Sequence, residues 1–193
     1  MRLGESLGEL IGAGDRVDEE VFATKGVTEE FAPELIKRAE GIIQAVGEEY
    51  KAIFLAEYKR LMTLRLGLKT QKESDFELLL SELLDTMEAL ELDFNHFFRR
   101  LSAVRLASVA TDEGRREVAG FFFHKEGVTG LGNTEKSARE RVAGWLERWR
   151  GRVVEDWGED GEGAGERERE RERAMKAVNP KVRYVFACPS SDQ

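Results

Sequence analysis

"PELIKRAEGIIQAVGEEYKAIFLAEYKRLMTLRLG" runs from Pro33 to Gly67. Its apolar positions are Leu35, Ile36, Ala39, Ile42, Ile43, Val46, Tyr50, Ile53, Phe54, Leu61 and Met62. They keep the 3.6-residue period of a helix with one apolar face. Pro33 suits a first turn, where its missing N–H has no intrahelical partner to lose. Gly41 and Gly47 weaken the interior, and Gly67 is a natural stop. The pattern predicts a helix over 34–66.

Other segments repeat this signature. Leu3, Leu7, Leu10 and Ile11 share one face of a helix over 2–12, ended by Gly12 and Gly14. That helix begins with no cap or lead-in, as the end of a longer element would. Ser74 and Glu77 have capping-box spacing ahead of Phe76, Leu79, Leu80, Leu83, Leu84 and Met87, which predicts a helix over 75–91. In "LDFNHFFRRL" (Leu92–Leu101), Phe94, Phe97, Phe98 and Leu101 fall on one face, with Asp93 near the start. The expected helix covers 94–108. Thr134 caps a helix over 135–154, with Ala138, Val142, Trp145, Leu146, Trp149 and Val153 on one side. Between 111 and 132, "VAGFFFHKEG" fits a buried helical turn, a short strand or an ordered loop. The tract from Glu155 reads as an acidic, Gly-rich linker over 155–166. A solvated Glu–Arg helix over 167–178 follows, where neighbouring charge effects of a few tenths of a kcal/mol partly cancel. The fold class is all-α, organised as a helical domain 1–154, the linker, and a terminal helix with tail 167–193.

Composition narrows the function. The chain has 193 residues, 35% charged, with a net charge of −8. That balance argues against non-specific nucleic-acid binding, although 30 Lys and Arg residues could still form a local patch. No apolar run is long enough for a membrane span, and the N-terminus resembles neither a secretory signal nor a transit peptide. A single cysteine, Cys188, excludes an internal disulfide and a Cys-rich zinc site.

The candidate chemistry is incomplete. "GVTGLGNT" (Gly127–Thr134) has phosphate-loop spacing, but Asn133 stands where that loop needs lysine. A Gly-rich entry to a capped helix is the plainer reading. His96 and His124 lack a second histidine at helical spacing and are expected to be packed and hydrogen-bonded. Trp145 and Trp149 continue an apolar stripe and are expected in the core, not in an aromatic cage. Cys188 is either a reactive tail thiol or an inert one. No catalytic, cofactor-binding or metal-binding set emerges.

Four segments in order carry a resemblance: "YKRLMTLRLGL" (Tyr58–Leu68), "DFNHFFRRL" (Asp93–Leu101), "WLERWRGRV" (Trp145–Val153) and "RERAMKAVNPK" (Arg171–Lys181). Together they resemble the C-terminal helical region of the selenoprotein O family, the kinase-like (pseudokinase) protein adenylyltransferases. "LGESLGELIGA" (Leu3–Ala13) resembles the helix after that family's metal-binding segment. The family's usual Thr is Asn95 here, and its Leu-Arg-Asn run after Asn-Pro-Lys becomes "VRYVFACPSS". The resemblance implies structural roles for Asp93 and Arg99, in capping and ion pairing. It implies AMP transfer from ATP to protein Ser, Thr or Tyr hydroxyls, with magnesium or manganese, by groups upstream of this region. No catalytic residue carries over, so the chain alone is expected to be inactive, its natural partner being a missing N-terminal kinase-like segment. Cys188 is implied as a redox residue, which the inserted Pro189 disturbs. Protein substrates are the implied partners, with no nucleic acid and no membrane. A mitochondrial setting follows if the eukaryotic pattern holds, otherwise a cytoplasmic one. The alternative is a non-catalytic helical interaction module.

Overall fold

A computed structural model describes residues 7–130, 132–159, 161 and 163–179. Among these residues the chain is helical and carries no strand. It divides into two compact units, 1–57 and 58–193.

The first unit contains α1 (Gly8–Ala13), a 3₁₀ turn (Gly14–Asp18), α2 (Glu20–Lys25) and most of α3 (Ala32–Arg65). The start of the expected 2–12 helix lies outside the described residues. Gly12 is not the terminator the sequence suggested. It lies inside α1, where a Cβ would meet the Leu35 carbonyl oxygen at 1.9 Å. Its lack of a side chain lets α1 approach the backbone of α3, and Gly14, at φ 54°, ends the helix. Leu35 and Ala39 are buried, whereas Leu7 and Leu10 are exposed, so α1 hides its small residues and not its leucines. Along α3 the apolar stripe is helical as expected, yet Val46, Tyr50, Ile53 and Phe54 lie 51–67% exposed.

The second unit holds the core. After α3, Gly67 turns the chain at φ 76°. A π-helical stretch, Phe76–Ser81, runs directly into α4 (Glu82–Ala89). Then follow α5 (Phe94–Leu101), a 3₁₀ turn (Ala107–Val109), α6 (Asp112–Ala119), α7 (Lys125–Gly130), α8 (Glu135–Trp157) and α9 (Ala164–Val178). Phe97, Phe98, Leu83, Leu101, Trp145, Leu146 and Trp149 fill the centre, and α6 lies along α8. Phe97 sits edge-on to Trp145, and the indoles of Trp145 and Trp149 stack 6.3 Å apart.

Several expectations need correction. The Ser74–Glu77 capping box does not form. Asp75 precedes the helix, with its carboxylate accepting from the Lys72 amide at 2.8 Å and paired with Arg152. The helix expected over 94–108 stops at Leu101: beyond Ser102 the backbone changes to i→i−3 bonds, Ala103 donating to the Arg100 carbonyl and Val104 to the Leu101 carbonyl. The ambiguous 111–132 stretch supplies two short helices, with Phe122 and Phe123 buried between them and Phe121 exposed. Helix α8 continues to Trp157, three residues beyond the expected end. Gly158, at φ 82°, closes it. The Thr134 cap is present, and Ser137 completes the box reciprocally.

Candidate functional site

The strongest polar organisation surrounds the loop after α3, residues 66–72. Gly67 is required there twice over. Its φ is left-handed, and a Cβ would lie 2.6 Å from the Met175 sulfur. The loop's carbonyls are then taken by indoles: Trp149 donates to Leu66 at 2.9 Å and Trp157 to Gly67 at 2.8 Å. Trp145 donates to the Leu79 carbonyl in the π-helical stretch at 2.8 Å. Three tryptophans thus bury large apolar area while each meets its hydrogen-bonding need.

Asp156, on the last turn of α8, closes the loop from outside. Its carboxylate accepts from the amides of Lys69 (2.7 Å) and Thr70 (3.0 Å) and from the Thr70 hydroxyl (2.6 Å). It pairs with Arg152 at 2.8 Å. Burial alone would raise its pKa. The bonds from Thr70, Arg152 and the two amides outweigh this and hold it at about 2. Arg152 reaches the other way, to Asp75 at 2.7 Å and the Thr70 carbonyl at 2.8 Å. Burial works against its charge, but Asp75 and Asp156 overcome it and raise its pKa.

Helix α9 enters the same junction. Arg171 is 1% exposed, donates to the Val104 carbonyl and to Glu168, and lies over the Trp149 ring at 5.3 Å. This overturns the reading of the Glu–Arg run as a merely solvated helix. Asn179 donates to the Arg65 carbonyl (3.2 Å) and the Ser102 hydroxyl (3.1 Å). Beside the loop opens a cavity of about 220 Å³, with Met62, Leu66, Leu68 and Leu80 among its walls and Lys59 and Lys72 contributing cations. Lys72 is already paired with Glu155 at 2.7 Å.

The residues singled out from sequence lie apart from this junction or serve it structurally. Asp93 caps α5, accepting from the His96 amide at 2.5 Å. Arg99 has no ion pair among the described residues, and its Nε is buried without a hydrogen-bond partner, so the expected pairing is not made. His96 accepts from the Arg100 Nε at 2.8 Å. Partial burial and then the Arg100 charge lower its pKa. His124 is exposed instead of packed: it lies just before α7, where its carbonyl accepts from the Gly127 and Val128 amides. The Gly-rich stretch is no open loop: Gly127 lies inside α7, and the Asn133 side chain donates to the Ala89 carbonyl at 3.2 Å. Trp145 and Trp149 are core residues, as expected. Cys188 lies outside the described residues. Sequence reasoning missed Arg152, Asp156 and Arg171. The i, i+4 spacing of Arg152 and Asp156 was the available signal.

Among the described residues no group of three or more His, Cys, Asp or Glu side chains could hold a cation. The acids Asp75 and Asp156 of the junction are bound to Arg152 and to loop amides, and Arg152 and Arg171 are bound to carboxylates and carbonyls.

Comparison with known proteins places these observations. A family model described as protein adenylyltransferase SelO matches residues 22–187. A protein nucleotidyltransferase YdiU of Rhizobium rhizogenes is 32% identical over 121 residues, covering 63% of this chain and 20% of that protein. The YdiU of Rhizobium etli is 30% identical over 145 residues, covering 75% and 23%. The mitochondrial protein adenylyltransferase SelO of Schizosaccharomyces pombe is 31% identical over 116 residues, covering 58% and 20%. The chain therefore spans about a fifth of the length of these curated relatives. No solved structure matches. No helix among the described residues is long and apolar enough to cross a membrane.

Proposed function

Because this chain belongs to the protein adenylyltransferase SelO family, we propose that it is the C-terminal helical part of such an enzyme's kinase-like fold and a scaffold without transfer activity of its own. The relatives are named for nucleotidyl or adenylyl transfer to proteins. In this reading AMP passes from ATP to protein hydroxyls on groups other than the described residues. ATP and magnesium or manganese bind there as well. The setting is mitochondrial or cytoplasmic, according to which relatives the parent protein follows.

The observation that carries the reading is the junction itself. Three of the four segments that resemble the family meet there, through Trp149 on the Leu66 carbonyl and Asn179 on the Arg65 carbonyl, and the junction's charged groups are engaged by neighbouring residues. Arg152 holds Asp75 and Asp156, Arg171 holds Val104 and Glu168, and Asn179 holds Arg65 and Ser102. Phosphoryl-group chemistry needs cations and a metal aimed at developing negative charge. Groups already neutralised internally are unsuited to that task.

The test incubates the purified chain with labelled ATP, magnesium or manganese, and candidate proteins. The expected result is no transferred label. Robust labelling that persists after removal of contaminating enzymes refutes the proposal. A chimera supplies the positive arm: the Rhizobium etli protein should keep labelling activity when this chain replaces its matching segment, and lose it when the segment is deleted.

A second reading, a non-catalytic interaction module, draws on the exposed Val46, Tyr50, Ile53 and Phe54 of α3. Such a face is larger than scattered surface apolar residues require.

A further inference from the structure

We propose that the groove between the end of α5 and the end of α6 binds an acidic peptide segment of a partner protein, one large apolar side chain entering the groove. This does not rest on the adenylyl-transfer reading. The groove encloses about 620 Å³, within the range of roughly 300–1,000 Å³ typical of binding pockets. Val104, Val118 and Phe122 are buried along it, while Phe121 is 58% exposed. A phenylalanine left this open beside an apolar groove is an anchor for a second apolar group.

The groove is also pre-organised. Phe122 packs against Phe97 at 4.4 Å between ring centroids, deep in the core. The Val104 carbonyl is gripped by the buried Arg171. Little conformational freedom is left for a ligand to remove, which favours binding.

Charge selects the partner. Arg100 and Arg105 line the groove against one acid, Glu117. This is a local cationic site on a chain of net charge −8. Arg105 makes no hydrogen bond or ion pair through its guanidinium among the described residues. It acts on Glu172, but that carboxylate is itself paired with Lys176. Arg100 gives its Nε–H to His96 and keeps its other guanidinium donors. Two guanidinium forks beside an apolar wall match a carboxylate next to a phenylalanine or leucine. Two arginines are too few to offset the chain's overall charge for nucleic acid.

The experiment is calorimetric titration of the full chain with an acetylated, amidated heptapeptide bearing a central phenylalanine between glutamates. Saturable binding is expected, weakening as salt screens the charges. Arg105→Glu and Phe121→Ser, both at exposed positions, should each weaken it by about tenfold or more. Their melting temperatures should match the parent's. Replacing the glutamates by lysines, or the phenylalanine by serine, should abolish it. No saturation at millimolar peptide, equal binding of the lysine peptide, or affinity unchanged in both variants overturns the proposal. So does a Phe121-dependent self-association in sedimentation without peptide binding, which would make a second copy the occupant.

Discussion

Removing the carboxylate of Asp156 should loosen the junction by an amount that depends on pH. Its side chain is 5% exposed and meets two amides, a hydroxyl and a guanidinium. The pKa falls from 3.8 to about 2. At about 1.4 kcal/mol per unit, the ionised form contributes about 2 kcal/mol to stability. A depressed carboxylate gives its full contribution above the unfolded pKa and loses it as pH falls through the folded one. The benefit is therefore complete at neutral pH, about half at pH 3, and nearly gone at pH 2. Asp156→Asn keeps the shape and one acceptor and should lose about 2 kcal/mol at pH 7. Asp156→Ala also strips the acceptor from the loop and should lose about 3 kcal/mol. For a chain of this length that lowers Tm by roughly 6–12 °C. Urea unfolding followed by tryptophan fluorescence, at pH 7 and pH 3, reads both quantities. An Asp156→Ala loss under about 0.5 kcal/mol, or an Asn variant whose deficit is the same at both pH values, would refute the reasoning.

Leu83 is 0% exposed, so Leu83→Ala should cost about 2–5 kcal/mol in the same assay. Gly67→Ala combines a left-handed backbone with a Cβ 2.6 Å from the Met175 sulfur, and should cost at least about 1–2 kcal/mol. Adding Met175→Ala relieves only the contact, so the double variant should lose less than the sum of the two single losses. The absence of AMP labelling by the chain alone, and the loss of acidic-peptide binding in Arg105→Glu, are read by the assays described above.

Periodicity made the fold legible wherever an apolar stripe ran for several turns, as in α3 and α8. It failed at the ends of helices, where short-range bonds decide. After Ser102 the backbone changes to i→i−3 bonds and ends α5, a switch that the Phe94–Leu101 pattern does not foreshadow. At the start of the helical stretch Phe76–Ser81, Asp75, not Ser74, makes the polar contacts, accepting from the Lys72 amide and from Arg152 across 77 residues, and neither supplies a side-chain cap. In α3 the period was right, yet much of the stripe lies exposed: a stripe shows which residues share a face, not what covers that face. The 111–132 stretch was opaque for another reason. Its helices last about two turns, too short for a period to emerge from three adjacent phenylalanines of which two turn inward and one outward.

Arg171 shows most clearly how composition can hide a role. It stands in an alternating Glu–Arg run that, by composition, reads as solvent-facing throughout. Yet within α9 one side of that run meets Trp149 and Val104, and Arg171 alone of the run's arginines is buried there. Its neighbour Glu168 supplies the countercharge that burial of a guanidinium demands. Three of the motif segments are tied to each other by Trp149 on the Leu66 carbonyl, Arg171 over Trp149 and Asn179 on the Arg65 carbonyl, so likeness in these segments transmits a packing arrangement before it transmits chemistry. Capacity to meet another molecule lies instead where charge and apolar surface are left unmatched. On the second unit that is the groove of Arg105 and Phe121; on the first it is the open stripe of α3.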